Sequence, residues 1–231
     1  MKTAVVGDIH GRLEVMEDVL DTADYDRIVF VGDYVDSFSR TKLDQLQCLE
    51  LALAAHNGED VICLRGNHEE SYLDPDYRCS GWNPVMDTHF LDKKEAVRAL
   101  PAYTWVDGIL ITHAGVSKHF LDEVLYDRYL YMGLSDIGKV DKYLEQRVHP
   151  EVGYARGGSK SCGGLMWCDW FEEFAPIPGL RQIMGHSGYR EPGIDKGVLR
   201  NGDNWNVDCL DHTRKIIVIE NGEVSVELLD V

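Results

Sequence analysis

The feature that most constrains the fold is a short apolar run that recurs along the chain and ends each time in a polar cluster. The runs are rich in β-branched residues and occupy positions 4–6, 28–31, 61–64, 109–111 and 183–184. Because each run is too short for a helix of ordinary length, we predict that each is a buried strand.

Helical patterns separate the first strands. Leucine, methionine and valine recur at helical spacing over residues 13–20, and leucine does so over residues 43–53. Thr41 and Asp44 are placed as a capping box at the start of the second helix. The alternation of strand and helix over residues 1–70 predicts βαβ units and a parallel sheet.

The rest of the chain shows antiparallel patterns. Asp107-Gly108 and Asn221-Gly222 are typical of tight hairpin turns. The strands predicted around and before these turns are 103–106, 109–112, 205–210, 214–220 and 223–229.

Two stretches fit neither pattern. Residues 74–92 are rich in proline, glycine, aspartate and aromatic residues, and residues 150–165 carry five glycines. We expect both to be ordered surface loops, where binding groups concentrate. Because the chain has no internal repeat and no low-complexity tract, residues 1–231 are expected to form a single domain.

The net charge restricts the partners. The chain carries 40 acidic and 23 basic residues, which gives a formal net charge of −17. A protein that docks on duplex nucleic acid needs a positive face to displace counterions, so long nucleic acid is not an expected partner. The charge is compatible with a small phosphorylated molecule as a partner.

Targeting signals are not evident in the sequence. The apolar run at the N-terminus is far too short for a signal peptide, and no apolar stretch approaches membrane-spanning length. We therefore expect a cytoplasmic protein without membrane contact, whose six cysteines are reduced thiols. Cys162 and Cys168 lack two further ligands nearby, which argues against a structural zinc site there.

Five polar motifs lie at or just after the ends of predicted strands. Ligands bind at the carboxyl edge of open α/β sheets, so we expect these motifs to meet at one site. Their glycines allow the sharp turns that bring carboxylates and imidazoles together. In chain order the motifs read GDIHG, GDYVD, GNHE, THAG and GHS.

The side chains in these motifs indicate a metal site. Asp8 and His10 are two residues apart and can face the same way, and Asp33 can bridge two cations with its two oxygens. Mixed nitrogen and oxygen ligands suit manganese, iron or zinc better than magnesium. Two divalent cations about 3.5–4 Å apart can clamp a phosphoryl group and activate a water. We expect two manganese ions, with iron or zinc as alternatives. The remaining donors are Asn67, His113 and His186.

As a set over residues 5–187, the motifs GDIHG, GDYVD, LRGNHE, HAG and GH resemble the calcineurin-like metallophosphoesterase superfamily. They are most similar to the PPP serine/threonine phosphatase branch and its bacterial and phage relatives. The resemblance implies an α/β fold, namely a four-layer α/β/β/α sandwich with two mixed β-sheets and a dinuclear site at the strand ends. It assigns one metal to Asp8, His10 and Asp33, and the other to Asp33, Asn67, His113 and His186.

The same resemblance implies an acid catalyst. His68 would protonate the leaving oxygen, and Asp36 would hydrogen-bond behind it to orient and charge the ring. Glu69 is expected to make a structural hydrogen bond and to take no part in the chemistry.

The sequence departs from the protein phosphatases where they grip phosphate. They carry an arginine directly after GDxVD, where this chain has Ser37, and a second one near residues 166–170, where this chain has none. Another cation would then have to contact the phosphate oxygens. The candidate substrate-binding residues are the loop arginines Arg40, Arg78 and Arg156.

These observations predict a metal-dependent phosphoesterase that hydrolyses a phosphomonoester with a metal-activated water. The substrate would be a phosphoprotein, a nucleotide or a small phosphorylated molecule. A phosphodiesterase or a dinucleoside polyphosphate hydrolase could use the same metals, although Gly188 stands where diesterase branches often place a further histidine. A non-catalytic interaction scaffold is a third hypothesis, but such scaffolds lose ligands and this chain keeps all of them.

Overall fold

The computed structural model describes residues 1–22, 24–146, 149, 151–188 and 197–229. The described strands form two five-stranded sheets. In chain order they are β1 (Lys2–Val6), β2 (Arg27–Phe30), β3 (Val61–Cys63), β4 (Tyr103–Val106), β5 (Ile109–Thr112), β6 (Arg181–Met184), β7 (Leu199–Asn201), β8 (Asn204–Asn206), β9 (Lys215–Glu220) and β10 (Glu223–Leu228).

Helices pack on the outer faces of the sheets. They are α1 (Leu13–Asp21), α2 (Lys42–Ala55), α3 (Asn67–Leu73), α4 (Pro84–Phe90), α5 (Lys94–Ala99), α6 (Tyr126–Tyr129) and α7 (Asp136–Leu144). The predicted helices at 13–20 and 43–53 are confirmed as α1 and α2. The capping box is confirmed as well, since Thr41 Oγ1 accepts from the Asp44 amide at 3.1 Å and Asp44 Oδ2 accepts from the Thr41 amide at 3.2 Å.

Both sheets are mixed. The first has the order β10-β9-β1-β2-β3 and the second β4-β5-β6-β8-β7. Strands β1, β2 and β3 run parallel, as the βαβ pattern predicted. Strand β9 pairs with β1 in the antiparallel direction. In the second sheet, β5, β6 and β8 are parallel to one another.

Successive side chains of each strand point to opposite faces of its sheet, and this alternation produces the layers. Val5 belongs to a buried cluster that joins residues of both sheets, including Ile111. Ala4 and Val6 face the other way, into a cluster with Met16 of α1. A third cluster covers the outer face of the second sheet. The result is the predicted four-layer α/β/β/α sandwich, with apolar burial on both faces of each sheet.

Two sequence predictions need correction. The stretch 74–92 is not loop throughout, because Asn83 and Pro84 start helix α4. The Asn83 side chain accepts from the Val85 amide at 2.8 Å, and proline suits the first helical turn. The strand predicted at 205–210 is also shorter, covering Asn204–Asn206, and pairs parallel with β6 as well as antiparallel with β7.

The predicted hairpins at 107–108 and 221–222 are confirmed. Among the described residues, none of the helices combines the length and apolarity required to cross a membrane.

Candidate metal centre

The carboxyl ends of the central strands place the five motifs at one edge of the sandwich. Asp8 follows β1, Asp33 follows β2, His113 follows β5 and His186 follows β6. Asn67 is the first residue of α3, which begins just after β3. Parallel strands of adjacent sheets therefore present their polar continuations to the same point, as the sequence predicted.

The backbone at this edge adopts an uncommon conformation. Four site residues have positive φ: His10 at 43°, Asp33 at 54°, Asp36 at 62° and His186 at 69°. Such angles cost side-chain-bearing residues about 1–3 kcal/mol each and persist where the surroundings enforce them, typically at functional sites. The other described non-glycine residues with positive φ are the hairpin residues Asp107 and Asn221, where a tight turn explains the conformation.

Asp33 lies at the centre of the site. Its Oδ2 atom is 3.7 Å from His10 Nε2, 3.8 Å from His68 Nε2 and 3.4 Å from His113 Nε2. Two groups of side chains, each with donor atoms within 4.8 Å of one another, share this aspartate. One group is His10, Asp33 and His68, and the other is Asp33, His113 and His186.

The second group is completed by Asn67. Its Oδ1 lies 2.8 Å from His113 Nε2 and 2.9 Å from His186 Nδ1, and these two ring nitrogens are 3.1 Å apart. The other ring nitrogen of His186, Nε2, is buried and has no hydrogen-bond partner. Donor atoms this close together are what a cation site requires.

The histidines are held in the ligand form. His10 Nδ1 donates to the Val35 carbonyl at 2.7 Å, and His113 Nδ1 donates to the Val31 carbonyl at 3.0 Å. A carbonyl can only accept, so the Nε2 atom of each neutral ring is left as a lone-pair donor. Burial lowers the pKa of both rings to about 3, which keeps them neutral and able to bind a metal.

The carboxylates of the site are buried close to other acidic groups. Burial raises the pKa of Asp33 to about 8, with His68 opposing and Glu69 adding to the rise. Burial and the nearby Asp208 and Asp33 also hold the pKa of Asp8 well above its ordinary value. Both Asp8 oxygens accept from the His186 amide at 3.0 Å, and Asp8 belongs to neither of the two groups. Divalent cations would offset this buried negative charge, so the donor set fits them.

His68 and Asp36 form a pair beside these groups. His68 Nδ1 donates to Asp36 Oδ2 at 3.0 Å, and the Tyr72 hydroxyl donates to Asp36 Oδ1 at 2.5 Å. Burial lowers the pKa of His68, but the charge of Asp33 and the bond with Asp36 outweigh burial and raise it well above the ordinary value. Cys79 Sγ also lies 3.3 Å from His68 Nδ1.

Glu69 has the structural role that the sequence suggested. Its carboxylate accepts from the amides of Asp33 at 2.9 Å, Tyr34 at 2.8 Å and Gly66 at 3.0 Å. It thereby ties the turn after β2 to the start of α3.

The three candidate arginines occupy different environments. Arg40 pairs with Glu14 at 2.6 Å and is not among the residues lining the cavity over the ligand groups. Arg78 and Arg156 do line this cavity, which measures about 480 Å³. Arg156 Nη2 contacts the His186 carbonyl at 3.2 Å, Ser187 Oγ at 2.8 Å and Asp169 Oδ2 at 2.9 Å.

The contacts of Arg156 bring it to the segment that has no arginine of its own. No arginine lies within residues 166–170, but the fold brings Arg156 against Asp169 of that segment. Arg156, which belongs to the glycine-rich loop, therefore lies beside that segment.

Sequence reasoning missed Asp208. It follows β8 and lies close enough to Asp8 and Asp33 to raise the pKa of both, while burial raises its own pKa to about 6. The signal was present, because Asp208 stands just past a strand end like the five motifs. The prediction of a single antiparallel strand over residues 205–210 hides this signal, because it places Asp208 inside the strand.

The comparisons with known proteins define the class. The profile of the calcineurin-like phosphoesterase family matches residues 1–189, and the chain belongs to this family. No curated protein matches the sequence.

Solved structures share the fold at low identity. A cold-active protein-tyrosine phosphatase of the psychrophile Shewanella sp. aligns with a TM-score of 0.57 and 17% identity, covering 99% of this chain and 78% of its own. A candidate diadenosine tetraphosphatase aligns at 0.52 and 17%, covering 98% and 93%. A protein serine/threonine phosphatase from Saccharomyces cerevisiae aligns at 0.51 and 17%, covering 98% and 79%.

Proposed function

We propose that this calcineurin-like phosphoesterase is a phosphomonoesterase that depends on two divalent cations. The observation that carries the proposal is the position of Asp33 between two groups of buried donors, with the His68–Asp36 pair beside it. Family membership supports the hydrolysis of a phosphoester. The complete donor set argues against a non-catalytic scaffold.

We propose for each cation the ligands that the resemblance to the family implies. The first would be held by Asp8, His10 and Asp33, and the second by Asp33, Asn67, His113 and His186. When bound, the two cations would lower the pKa of an attacking water and offset the charge of the phosphoryl oxygens. We propose manganese for both positions, because the donors combine imidazole nitrogen with carboxylate and amide oxygen.

His68 supplies the proton for the leaving group. Its Nδ1–H is engaged by Asp36, so Nε2 is the atom that faces the ligand groups and can donate. Water oxygen forms a bond to phosphorus, and the bond from phosphorus to the ester oxygen breaks with its electron pair on that oxygen. The Nε2 proton passes to the ester oxygen, and the proton lost by water reaches solvent. The ester and water thus give an alcohol and hydrogen phosphate.

Arg156 contacts the phosphoryl group in this proposal. It is anchored beside His186 and lines the cavity over the ligand groups. Arg156 would thus supply positive charge near residues 166–170, the region in which the protein phosphatases carry their second arginine. Ser37 cannot replace their first arginine, so a dianionic phosphate is held with one cationic side chain fewer.

That deficit favours one alternative function. A diester or a dinucleoside polyphosphate carries less charge at each phosphorus, so Ser37 would be less costly for such a substrate. The fold shared with a candidate diadenosine tetraphosphatase is compatible with this alternative. The polar cavity and the net charge of −17 favour a small phosphorylated molecule or a phosphopeptide over long nucleic acid in either case.

The test is hydrolysis after the protein is stripped with a chelator and reloaded with Mn²⁺, Fe²⁺ or Zn²⁺, followed as the phosphate, p-nitrophenol or nucleotide that each substrate releases. Substrates should include p-nitrophenyl phosphate, a phosphopeptide, nucleoside monophosphates, bis-p-nitrophenyl phosphate and a dinucleoside tetraphosphate. The proposal expects metal-dependent release from the monoesters. A preference for the diester or the tetraphosphate would favour the alternative, and metal binding without any turnover would favour a scaffold.

A further inference from the structure

Resting on this proposed function, we propose that Arg78 binds an anionic group on the part of the substrate that is released. The preferred substrates would then be phosphate esters whose leaving alcohol carries its own carboxylate or phosphate. The proposal assigns Arg78 to the leaving group and Arg156 to the phosphoryl group that reacts.

The environment of Arg78 is the first observation. Its guanidinium lies 3.9 Å from the ring centroid of Trp82, which fixes the plane of the group by a cation–π contact. Other arginines in the described part of the chain bind a carboxylate or a backbone carbonyl, for example Arg40 with Glu14. Within the same described ranges, Arg78 makes no such contact. Its N–H donors remain available on the wall of the cavity.

The position of Arg78 relative to His68 is the second observation. Arg78 precedes Cys79, whose sulfur lies 3.3 Å from His68 Nδ1. Arg156, by contrast, contacts the carbonyl of His186. The leaving oxygen must come within hydrogen-bond distance of His68 Nε2 to receive its proton. Both arginines line the cavity, and we assign the substituent to the wall at Arg78 because Arg156 is held beside the proposed ligand His186.

The surrounding charge makes this contact selective. Asp76 lines the same cavity and carries no ion pair within the part of the chain that the structure describes. In a chain of net charge −17, an anionic leaving group would be repelled unless a local cation compensated. Arg78 provides that cation, and its planar fork can bind two oxygens of a carboxylate or a phosphate.

The experiment compares esters of similar alcohols that differ in charge. The Mn²⁺-loaded protein is assayed with 3-phosphoglycerate, propanediol bisphosphate, glycerol 3-phosphate and phosphoethanolamine. Their leaving alcohols carry, in that order, a carboxylate, a phosphate, no charge and an ammonium group. Wild-type kcat/KM should be highest for the two anionic leaving groups. The ratio of these two kcat/KM values shows whether Arg78 favours the carboxylate or the phosphate.

Variants then identify the residue. Arg78→Ala should lower kcat/KM by about 10- to 100-fold for the anionic leaving groups and by less than about threefold for glycerol 3-phosphate. Arg78→Lys should keep part of the activity, and Asp76→Asn should raise kcat/KM for the anionic leaving groups. Arg200→Ala is the matched control, because Arg200 also lies over a tryptophan, Trp205, at 5.3 Å. Arg200→Ala should leave kcat/KM unchanged for both the anionic and the neutral leaving groups.

Two results would overturn the assignment. An equal loss of kcat/KM in Arg78→Ala for neutral and anionic leaving groups would show that Arg78 contacts the reacting phosphoryl group. No loss for either kind of leaving group would show that Arg78 does not bind the substrate. In both cases glycerol 3-phosphate hydrolysis by the wild type would leave the proposed function standing. Absence of hydrolysis of any ester by the wild type would overturn the proposed function itself.

Discussion

Tyr72 donates a hydrogen bond of 2.5 Å to Oδ1 of Asp36, and the other oxygen of Asp36 accepts from His68. Tyr72 lies four residues after His68 in α3, so the helix presents both side chains to one carboxylate. The tyrosine ring is buried and stacks on Phe90 at 4.2 Å. Tyr72 therefore holds Asp36 in the orientation that directs His68 toward Asp33.

This relationship predicts the effect of Tyr72→Phe. The loss of a hydrogen bond to a charged group should lower the free energy of unfolding by about 1.5–3 kcal/mol. The kcat for alkyl phosphates should fall more than the kcat for p-nitrophenyl phosphate, because a loosened Asp36 aligns the proton donor less well. Tyr34→Phe is the matched control: Tyr34 is also buried, but its hydroxyl donates to the Leu64 carbonyl at 3.0 Å. An equal change in leaving-group dependence for Tyr34→Phe would show that Tyr72 has only a structural effect.

His68→Asn should separate acid catalysis from metal binding. The metal content should stay near that of the wild type, because His68 is not one of the proposed ligands. For substrates with poor leaving groups, kcat should fall by roughly 10²–10⁴. The loss should be smaller for p-nitrophenyl phosphate, whose leaving group scarcely needs a proton. Steady-state kinetics and metal analysis check this, and equal losses across leaving groups would argue for a different role.

His149 predicts acid sensitivity of the fold. Burial, reinforced by the charge of Arg65, lowers the pKa of His149 to about 4. The unfolded chain binds this proton near pH 6.5, so it holds more protons than the folded chain between about pH 6.5 and 4. Stability is thus complete above about pH 6.5 and declines as the pH falls toward 4, by up to about 3 kcal/mol at this site.

Replacing His149 should remove that part of the pH dependence. Urea unfolding between pH 7 and pH 5 should show a shallower decline for His149→Phe than for the wild type. The difference between the two proteins isolates this residue from the other buried histidines. His89→Phe, at an exposed position, should leave the slope unchanged. An identical decline in His149→Phe and the wild type would show that this ring does not titrate with unfolding.

Most of the site could be predicted because its residues stand in fixed positions relative to strands. Asp8, Asp33, His113 and His186 each follow a strand, and the convergence of parallel strand ends needs no knowledge of loop shape. The glycine motifs also predicted sharp backbone turns, and Asp33 and His186 indeed have positive φ. Geometry set by the strands was therefore accessible from the sequence.

Features set by loop packing were not accessible. The contact between Arg156 and Asp169 joins two irregular segments, and nothing in their sequence spacing indicates it. Helix α4 was missed because the Asn83-Pro84 start signal lies in a stretch dominated by turn residues. Asp208 was missed because a strand of three residues carries too little pattern to reveal its direction.

The most direct test of the two-cation claim is the metal content of Asp33→Asn. Asp33 is the one residue proposed to contact both cations. Removing its charge should weaken both sites, while the aliphatic core keeps the fold.

Asp107→Asn is the matched control, since Asp107 also has positive φ but lies in a hairpin. Metal should be measured by mass spectrometry after gel filtration, together with turnover. We predict about two metal ions per chain for the wild type and Asp107→Asn, and fewer than about one, without turnover, for Asp33→Asn. Two tightly retained metal ions in folded Asp33→Asn would contradict the account.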